Sequence, residues 1–409
     1  MNRYSKRRQE VLKTMADNSV ALIFSGKAIN KSEDESYDFD VNRNFYYLTG
    51  LDKEEMVLML RKVNGKDMSS LYILPYDETL ARWVGGRMSK QEAGEISEIT
   101  NVNDAADLDD DVAMAIDRAR GNNFKMYFDL WHFSMNQQNS LATEYANKIR
   151  SRYPYIEIID LFRTLTDLRQ VKDEYEVTCT KRAIGITNLG VRRMMKTIRP
   201  EMNEMIMDGI FEFVLKENLC NRNAFKTIAA SGERATILHY SDNNQVMKDG
   251  ELFLCDLGAT YNKYCADISR TFPVNGKFSE RQKEIYEMVL EAQRIVVANA
   301  KAGVTLRELN QLVVDYYKEE LPKHNLNEDV SEYYFHSVSH QLGLDTHDVC
   351  TYEPLKAGNI ITNEPGLYIA DEGIGIRIED DLLIKEDGCE ILSKDIIREV
   401  ADIEALMSK

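Results

Sequence analysis

Four acids and a run of histidines hold the chemistry that can be read from this chain. Asp256 and Asp267 lie in ELFLCDLGATYNKYCADISRTF (251–272), Glu364 stands before Pro365-Gly366, and Glu379 sits in GIGIRIEDDLLI. Between the two pairs, FHSVSHQLGLDTHD carries His336, His340 and His347, half of the chain's six histidines. Alternating side chains over 251–272 predict two short strands around a tight turn. A turn centred on Tyr261-Asn262 would set Asp256 directly across from Asp267, with Cβ atoms roughly 4.5–5.5 Å apart. Carboxylates that close repel, and more so in a partly dry site. A bound metal, a nearby Arg or Lys, or a register that aims one acid at solvent would each resolve the conflict. Four carboxylates with imidazole form a mixed hard and borderline donor set, suited to Mn²⁺, Co²⁺, Zn²⁺ or Fe²⁺ and too rich in charge for one ion. Two divalent ions would balance it. Such pairs sit roughly 3.5–4 Å apart, share bridging carboxylates and hold a hydroxide that attacks a carbonyl or phosphoryl centre.

An internal repeat explains how acids so far apart in the chain would meet. His239 and His347, Lys248 and Lys356, Gly250 and Gly358, Asp256 and Glu364, and Gly258 and Gly366 all stand 108 residues apart. A second acid follows in each half, Asp267 and then Glu379. Paired helices precede each half. Asp173 with Glu176, Ser279 with Gln282 and Thr305 with Glu308 have capping-box spacing, and Glu204-Met205 lies in the remaining helix (199–219). Glu364 is placed where a strand gives way to a turn, and Arg377 and Glu379 on one strand face. His336 and His340 have a spacing that would share a helix face, although Ser-Val-Ser leaves the local structure open.

Residues 1–160 read as a separate α/β domain and 161–409 as the domain that carries the site. The first has short β-rich runs at 20–25, 56–61, 71–74, 125–128 and 156–159, with helical patterns at 90–96 and 143–150. Within it, DFDVNRNFYYLTG (38–50) reads as a packed corner or as part of a pocket wall. At 409 residues, 44% hydrophobic and 29% charged, the chain fits a large globular enzyme. A net charge of −17 argues against a non-specific grip on nucleic acid. No apolar run is long enough for a membrane span or a signal sequence. Six cysteines without a C-x-x-C pair suggest reduced thiols and a cytoplasmic setting. His132 and His324 read as ordinary core or surface groups.

These residues resemble the pita-bread metallopeptidases, and among them aminopeptidase P. The matching pieces are HYSDNN from His239, CDLGATYNKYCADISRTFPVNGKF, FHSVSHQLGLDTHD, NEPGLY and GIRIEDD, with RNFYYLTG and RWVGGR in the first domain. The resemblance implies an α+β pita-bread catalytic domain with a pseudo-two-fold repeat, behind the α/β N-terminal domain. It implies that Asp256 holds one metal, that Asp267 and Glu379 bridge two, and that His340 and Glu364 complete the second. Manganese is the first expectation, with zinc, cobalt or iron as alternatives. Glu364 would also handle the proton of the attacking water. His239, His336 and His347 fall on substrate-contacting positions, where they would stabilise the oxyanion and the leaving proline nitrogen. Arg377 joins Glu364, His336 and His347 among the catalytic candidates, and Tyr368 joins the substrate-binding ones. Trp83 matches a residue that lines a neighbouring subunit's pocket in oligomeric relatives, or else is a buried anchor. Thr346 departs from the family's usual Val or Ile before the last histidine, a change of little size. The implied activity is cleavage before a penultimate proline in peptides, by a homo-oligomer, dimeric or larger, with no nucleic acid or membrane partner. An Xaa-Pro dipeptidase (prolidase) is the alternative, and a metal-free binding or creatinase-like relative a third; Arg270-Thr271 favours the aminopeptidase.

Overall fold

The computed structural model describes residues 3–119 and 123–408. The chain divides into two units, Met1–Leu168 and Arg169–Lys409, the division falling within helix Phe162–Gln170.

The first unit is organised on β1 (Ser19–Phe24), β2 (Val57–Val63), β3 (Lys66–Ile73), β4 (Asn101–Asp104), β5 (Lys125–Phe128) and β6 (Glu157–Asp160). They form one mixed sheet in the order β4-β3-β2-β1-β5-β6. Asn64-Gly65 closes β2 on β3 with both residues at positive φ, the two-residue turn whose twist matches that of the strands. Nothing in the residue pattern announces β4. Apart from Val102 its residues are polar, and all are at best half-buried, so no apolar alternation marks it, and its place is set by parallel pairing with β3. The stretch 38–50 contains helix Arg43–Thr49, capped by the Asn42 side chain and stopped by Gly50 in the left-handed region. Phe45 and Leu48 bury themselves completely, so this segment packs as a corner of its own unit. Trp83 is no buried anchor: it is 83% exposed on helix Glu78–Val84.

The second unit has the repeat as its frame. Helix Glu174–Thr197 starts in a capping box of Asp173 and Glu176, helix Glu280–Asn299 in one of Ser279 and Gln282, and helix Leu306–Glu320 in one of Thr305 and Glu308. Each box satisfies two backbone donors that a helix start leaves open. Helix Glu204–Glu217 is capped by Asn203. Cys179, Ala183, Ile184, Val191 and Met194 line the inner face of the first of these helices at three- and four-residue steps. All but Cys179 join Phe211, Phe253, Phe272 and Ile285 in one continuous core, each large apolar side chain contributing about 1.5–3 kcal/mol.

Over that core lie β7 (Ile228–Ser231), β8 (Leu252–Leu257), the short β9 (Thr260–Tyr261) and β10 (Tyr264–Cys265), and β11 (Ile268–Pro273). The second half supplies β12 (Ile360–Asn363), β13 (Gly366–Ile369), β14 (Ile374–Arg377), β15 (Asp380–Ile384) and β16 (Cys389–Ile391). Two antiparallel three-stranded sheets result, β11-β8-β7 and β12-β15-β16, with β13–β14 and β9–β10 as separate hairpins. The repeat is visible in the backbone. Glu251 N–H bonds Lys248 O and Asn359 N–H bonds Lys356 O, each turn with glycine at its third position, Gly250 at φ +83° and Gly358 at +95°. A turn of that kind requires positive φ there, so glycine recurs where β8 and β12 must begin.

Candidate metal centre

The hairpin that carries the first two acids has a different register from the expected one. Tyr264 pairs with Tyr261, Ile268 with Leu257 and Ser269 with Asp256, so the turn is Asn262-Lys263 and Asp267 does not oppose Asp256. Both turn residues are at positive φ, and a lysine there is rare enough that the sequence pointed one residue too early. Moving the turn by one moves the pairing by two, which preserves the face. Asp267 is therefore a diagonal neighbour of Asp256 rather than a direct one. Gly258 permits the chain to close here: a Cβ on it would lie 1.8 Å from Ala266 O.

Glu379 sits between β14 and β15, its N–H on Ser269 O (3.0 Å) and its Oε2 accepting from Ser269 Oγ (2.9 Å). Arg377 Nε donates to the same hydroxyl at 2.8 Å. The histidine-bearing loop is irregular rather than helical, so His336 and His340 share no helix face. His340 is pinned to β12 through its N–H on Thr362 Oγ1 (3.1 Å) and its carbonyl, which accepts from Thr362 N–H (3.0 Å). Glu364 N–H bonds Val338 O in the same loop. The structure thus brings Asp267, His340 and Glu379 together, with one ligand atom of each within 4.8 Å of the others. Glu364 Oε1 and Asp267 Oδ2 lie 3.3 Å and 3.4 Å from His340 Nε2.

The proton positions follow from the partners. His340 Nδ1 faces Gln341 O at 3.1 Å, and a carbonyl can only accept, so that nitrogen carries the hydrogen. Nε2 then aims its lone pair at two carboxylates, an arrangement that calls for a cation. Asp256 Oδ1 and Glu379 Oε1 are buried with no hydrogen-bond partner among the described residues, and Asp381 Oδ1 is a third such atom. Burial first, then Asp256, Glu364 and Asp381, holds the Asp267 carboxyl well above its usual range. Burial, then Asp267 and Glu364, does the same to Glu379, and Glu364 is raised by burial against the pull of His340 and Arg377. Arg377 is the guanidinium among these acids, its Nη2 2.6 Å from Asp256 Oδ2. One such charge does not balance Asp256, Asp267, Glu364 and Glu379. The orphaned oxygens, the inward lone pair and the surplus of acid all fit a set of divalent cations.

Around this centre lie the other candidates. Arg377 Nη1 donates to Tyr368 Oη (2.9 Å), whose phenol pKa burial pushes up to about 12 against the influence of Arg377. His336 Nδ1 faces Ser337 O at 2.9 Å and so carries the hydrogen, which leaves Nε2 to accept from Tyr368 Oη at 2.9 Å. Burial, then Arg377, lowers His336 to about 3, keeping the ring neutral. His347 is exposed, packs tilted against His340 with ring centres 4.1 Å apart, and is lowered to about 4 by burial and then by His340 and His239. His239 is exposed on the turn after the 3-10 segment Gly232–Thr236, close enough to lower both rings. Its loop is held by Glu204, wholly buried, which accepts from Ser231 N–H, Ser231 Oγ, Tyr240 Oη and Gln245 N–H at 2.7–3.0 Å.

The profile of metallopeptidase family M24 matches residues 178–386, and that of the aminopeptidase P N-terminal domain residues 4–124. The chain belongs to metallopeptidase family M24. It is similar to the Xaa-Pro aminopeptidase of Haemophilus influenzae, 32% identical over 99% of this chain and 97% of that one. A Bacillus anthracis structure assigned to aminopeptidase P matches with a TM-score of 0.96 at 38% identity, covering 99% of this chain and 97% of that chain. Zinc-substituted Escherichia coli aminopeptidase P in complex with product matches at 0.90 and 32%, with the same coverage. The M24 chain is accordingly a hydrolase of the metallo-aminopeptidase, Xaa-Pro aminopeptidase type, with an aminopeptidase P N-terminal domain before a pita-bread unit.

Sequence reasoning passed over several groups that hold the M24 site together. Ser269 and Thr362 gave no signal, being small hydroxyls in apolar strands. Asp381 had one, because Glu379-Asp380-Asp381 is an unbroken acidic run entering a buried strand. Asp380 answers to Arg270 and Arg398 at 2.8 and 2.5 Å, and Asp381 Oδ2 accepts from Asp267 N–H at 3.3 Å. Among the described residues no helix is long and apolar enough to cross a membrane, and no two cysteines are joined in a disulfide.

Proposed function

We propose that this M24 chain is a dinuclear Xaa-Pro aminopeptidase that releases the first residue from peptides with proline in second position. The observation that carries the reading is the convergence of Asp267, Glu379 and Glu364 on the inward Nε2 of His340, with Asp256 held beside them by Arg377. In this reading Asp256, Asp267, His340, Glu364 and Glu379 would hold two divalent ions. Four carboxylates to one imidazole is a donor set dominated by hard oxygen, which suits manganese. When bound, the ions would supply the positive charge that acidifies a water into a nucleophile and polarises the scissile carbonyl.

The side chains do the rest. Glu364 takes the proton that the attacking water loses and passes it to the proline nitrogen, which cannot leave as an anion. His239 and His347, both on the exposed side of the centre, each offer one N–H to the substrate backbone. His347 does so as a neutral ring, since its pKa of about 4 leaves it uncharged at neutral pH. His336 has both nitrogens engaged, so its part is to orient Tyr368 and, through it, Arg377, which keeps Asp256 in place. The penultimate-proline preference is supported by the named relatives. Turnover of an Xaa-Pro-Xaa tripeptide beside the matching Xaa-Pro dipeptide, by protein loaded with manganese, tests it. Cleavage of the tripeptide is expected. Turnover of the dipeptide alone would make the protein a prolidase instead.

A further inference from the structure

We propose that Arg169 and Lys172 are positioning residues for His347, acting through Asp348. The idea rests on the reading of His347 as a substrate-facing group. Asp348 follows His347 in the chain and points the opposite way: His347 is exposed, whereas the Asp348 side chain is 1% exposed. Its Oδ1 lies 2.5 Å from Arg169 Nη2 and its Oδ2 3.1 Å from Lys172 Nζ, both cations being as deeply buried, at 3% and 1%. Arg169 also reaches Asp345 Oδ2 at 2.9 Å, so the two acids that flank Thr346-His347 end on one guanidinium. Burial works against the Asp348 charge, and Arg169 and Lys172 outweigh it, keeping the carboxyl below its ordinary range. Gly343 leaves the room, since a Cβ there would sit 2.2 Å from Asp348 Oδ2.

The same short segment is tied to the far side of the loop and to β12. Gln170 Oε1 accepts from Thr351 N–H (2.8 Å), Gln170 O from Asn359 Nδ2 (2.8 Å), and Gly358 O from Lys172 N–H (2.9 Å). Residues 169–172 therefore form a bracket behind the loop, and His347 is what the loop presents in front. Buried ion pairs are a poor way to gain stability, because desolvation consumes most of the attraction and apolar groups of equal size commonly do as well. What a forked guanidinium and an ammonium on one carboxylate do provide is a single geometry.

The other half of the repeat makes the same point with different chemistry. Tyr240 follows His239, stands 108 residues before Asp348, and is likewise buried, its hydroxyl on the buried carboxylate of Glu204. Each outward histidine is thus followed by an inward residue fixed by a charged partner. Asp348 is eight positions from His340, and its carboxylate bonds to Arg169 and Lys172 rather than to a candidate metal ligand, so its effect on the site passes through the loop.

A double-mutant cycle on the metal-loaded enzyme decides the matter. His347→Ala, Asp348→Asn and the double variant are compared for kcat/KM, thermal midpoint and metal content. Asp348→Asn is expected to lose about ten- to a hundredfold in kcat/KM, the range for groups that orient an active residue, with its metal retained. In the His347→Ala background the same change is expected to cost less than about twofold, because the group being positioned is gone. Should Asp348→Asn misfold through its unpaired buried cations, Asp348→Asn with Lys172→Met removes one charge of each sign and is carried through the same cycle. Losses that multiply in full would overturn the proposal and leave the function standing. An unchanged His347→Ala enzyme would instead remove the reading of His347, and the proposal with it.

Discussion

The two halves of the M24 unit share a frame and diverge in one hairpin. Asp256 and Glu364 stand 108 residues apart, but Asp267 and Glu379 stand 112 apart, so four extra residues fall between the second pair of acids. In the first half the interval holds the β9–β10 hairpin, with two-residue strands and Cys265 buried at its end. In the second it holds β13–β14, with four-residue strands, and this longer hairpin delivers Tyr368 and Arg377 to the carboxylates. Turn chirality before β8 and β12 repeats because the backbone dictates it, with Gly250 and Gly358 both at positive φ. Side chains that need reach appear only where the chain is longer. The halves also brace each other. Ser269, two residues after Asp267, holds Glu379, while Asp381, two after Glu379, accepts from Asp267 N–H.

If both halves contribute equally to the metals, removing an acid from either should be equally severe. Asp267→Ala and Glu379→Ala are each expected to lower kcat by more than about a hundredfold, beyond what an orienting group costs, and to lose bound metal in elemental analysis. Near-normal turnover with either one would break the comparison at its base. The long hairpin predicts a smaller and one-sided loss. Arg377→Lys keeps a charge but cannot reach Asp256, Ser269 and Tyr368 together, since an ammonium lacks the planar fork. We expect kcat to fall about ten- to a hundredfold with metal content preserved. A fully active Arg377→Lys enzyme would reduce the extra hairpin to packing.

This asymmetry also marks what the sequence could disclose. Capping boxes, the glycines before β8 and β12, and the acids themselves are local signals, and each was legible because it needs a particular residue at a particular step. The register of the first hairpin was not, because Lys263 occupies a left-handed position where glycine would have announced the turn. β4 lacked an apolar pattern altogether. The supporting groups Ser269, Thr362 and Asp348 were illegible for a further reason: their partners lie 110, 22 and 179 residues away, and only folding brings them within reach.

A milder effect is expected from pH on the metal-free protein. The folded state raises the Asp267, Glu364 and Glu379 carboxyls, so between the ordinary carboxylate range, about 4, and their folded values it holds more protons than the unfolded chain. Their contribution is fully present below that range and is lost as pH rises through the folded values. Chelated protein should therefore melt lower at pH 8 than at pH 5.5, and added manganese should restore more at the higher pH. Each kcal/mol corresponds to roughly 2–4 °C at this size. The Asp267→Asn, Glu379→Gln double variant should flatten the slope. A double variant whose slope matches that of the chelated wild type would contradict the crowding of acids, since the lowered His336 and His347 act in the opposite sense in both proteins.

The subtlest test concerns the cross-brace. Ser269 is uncharged, and its counterpart Asp381 is an acid only in name if burial keeps it protonated, as the raised position of its carboxyl indicates. Asn in its place keeps an oxygen for Asp267 N–H and puts an amide where the acid proton would be. Asp381→Asn should then hold kcat within about threefold, the scale of one altered neutral hydrogen bond at roughly 0.5–1 kcal/mol. A tenfold loss together with loss of metal would show that Asp381 is ionised in the working enzyme. The second half would then carry one negative charge more than the first, and Asp381 Oδ1, buried without a partner among the described residues, would count in the balance that the cations must meet.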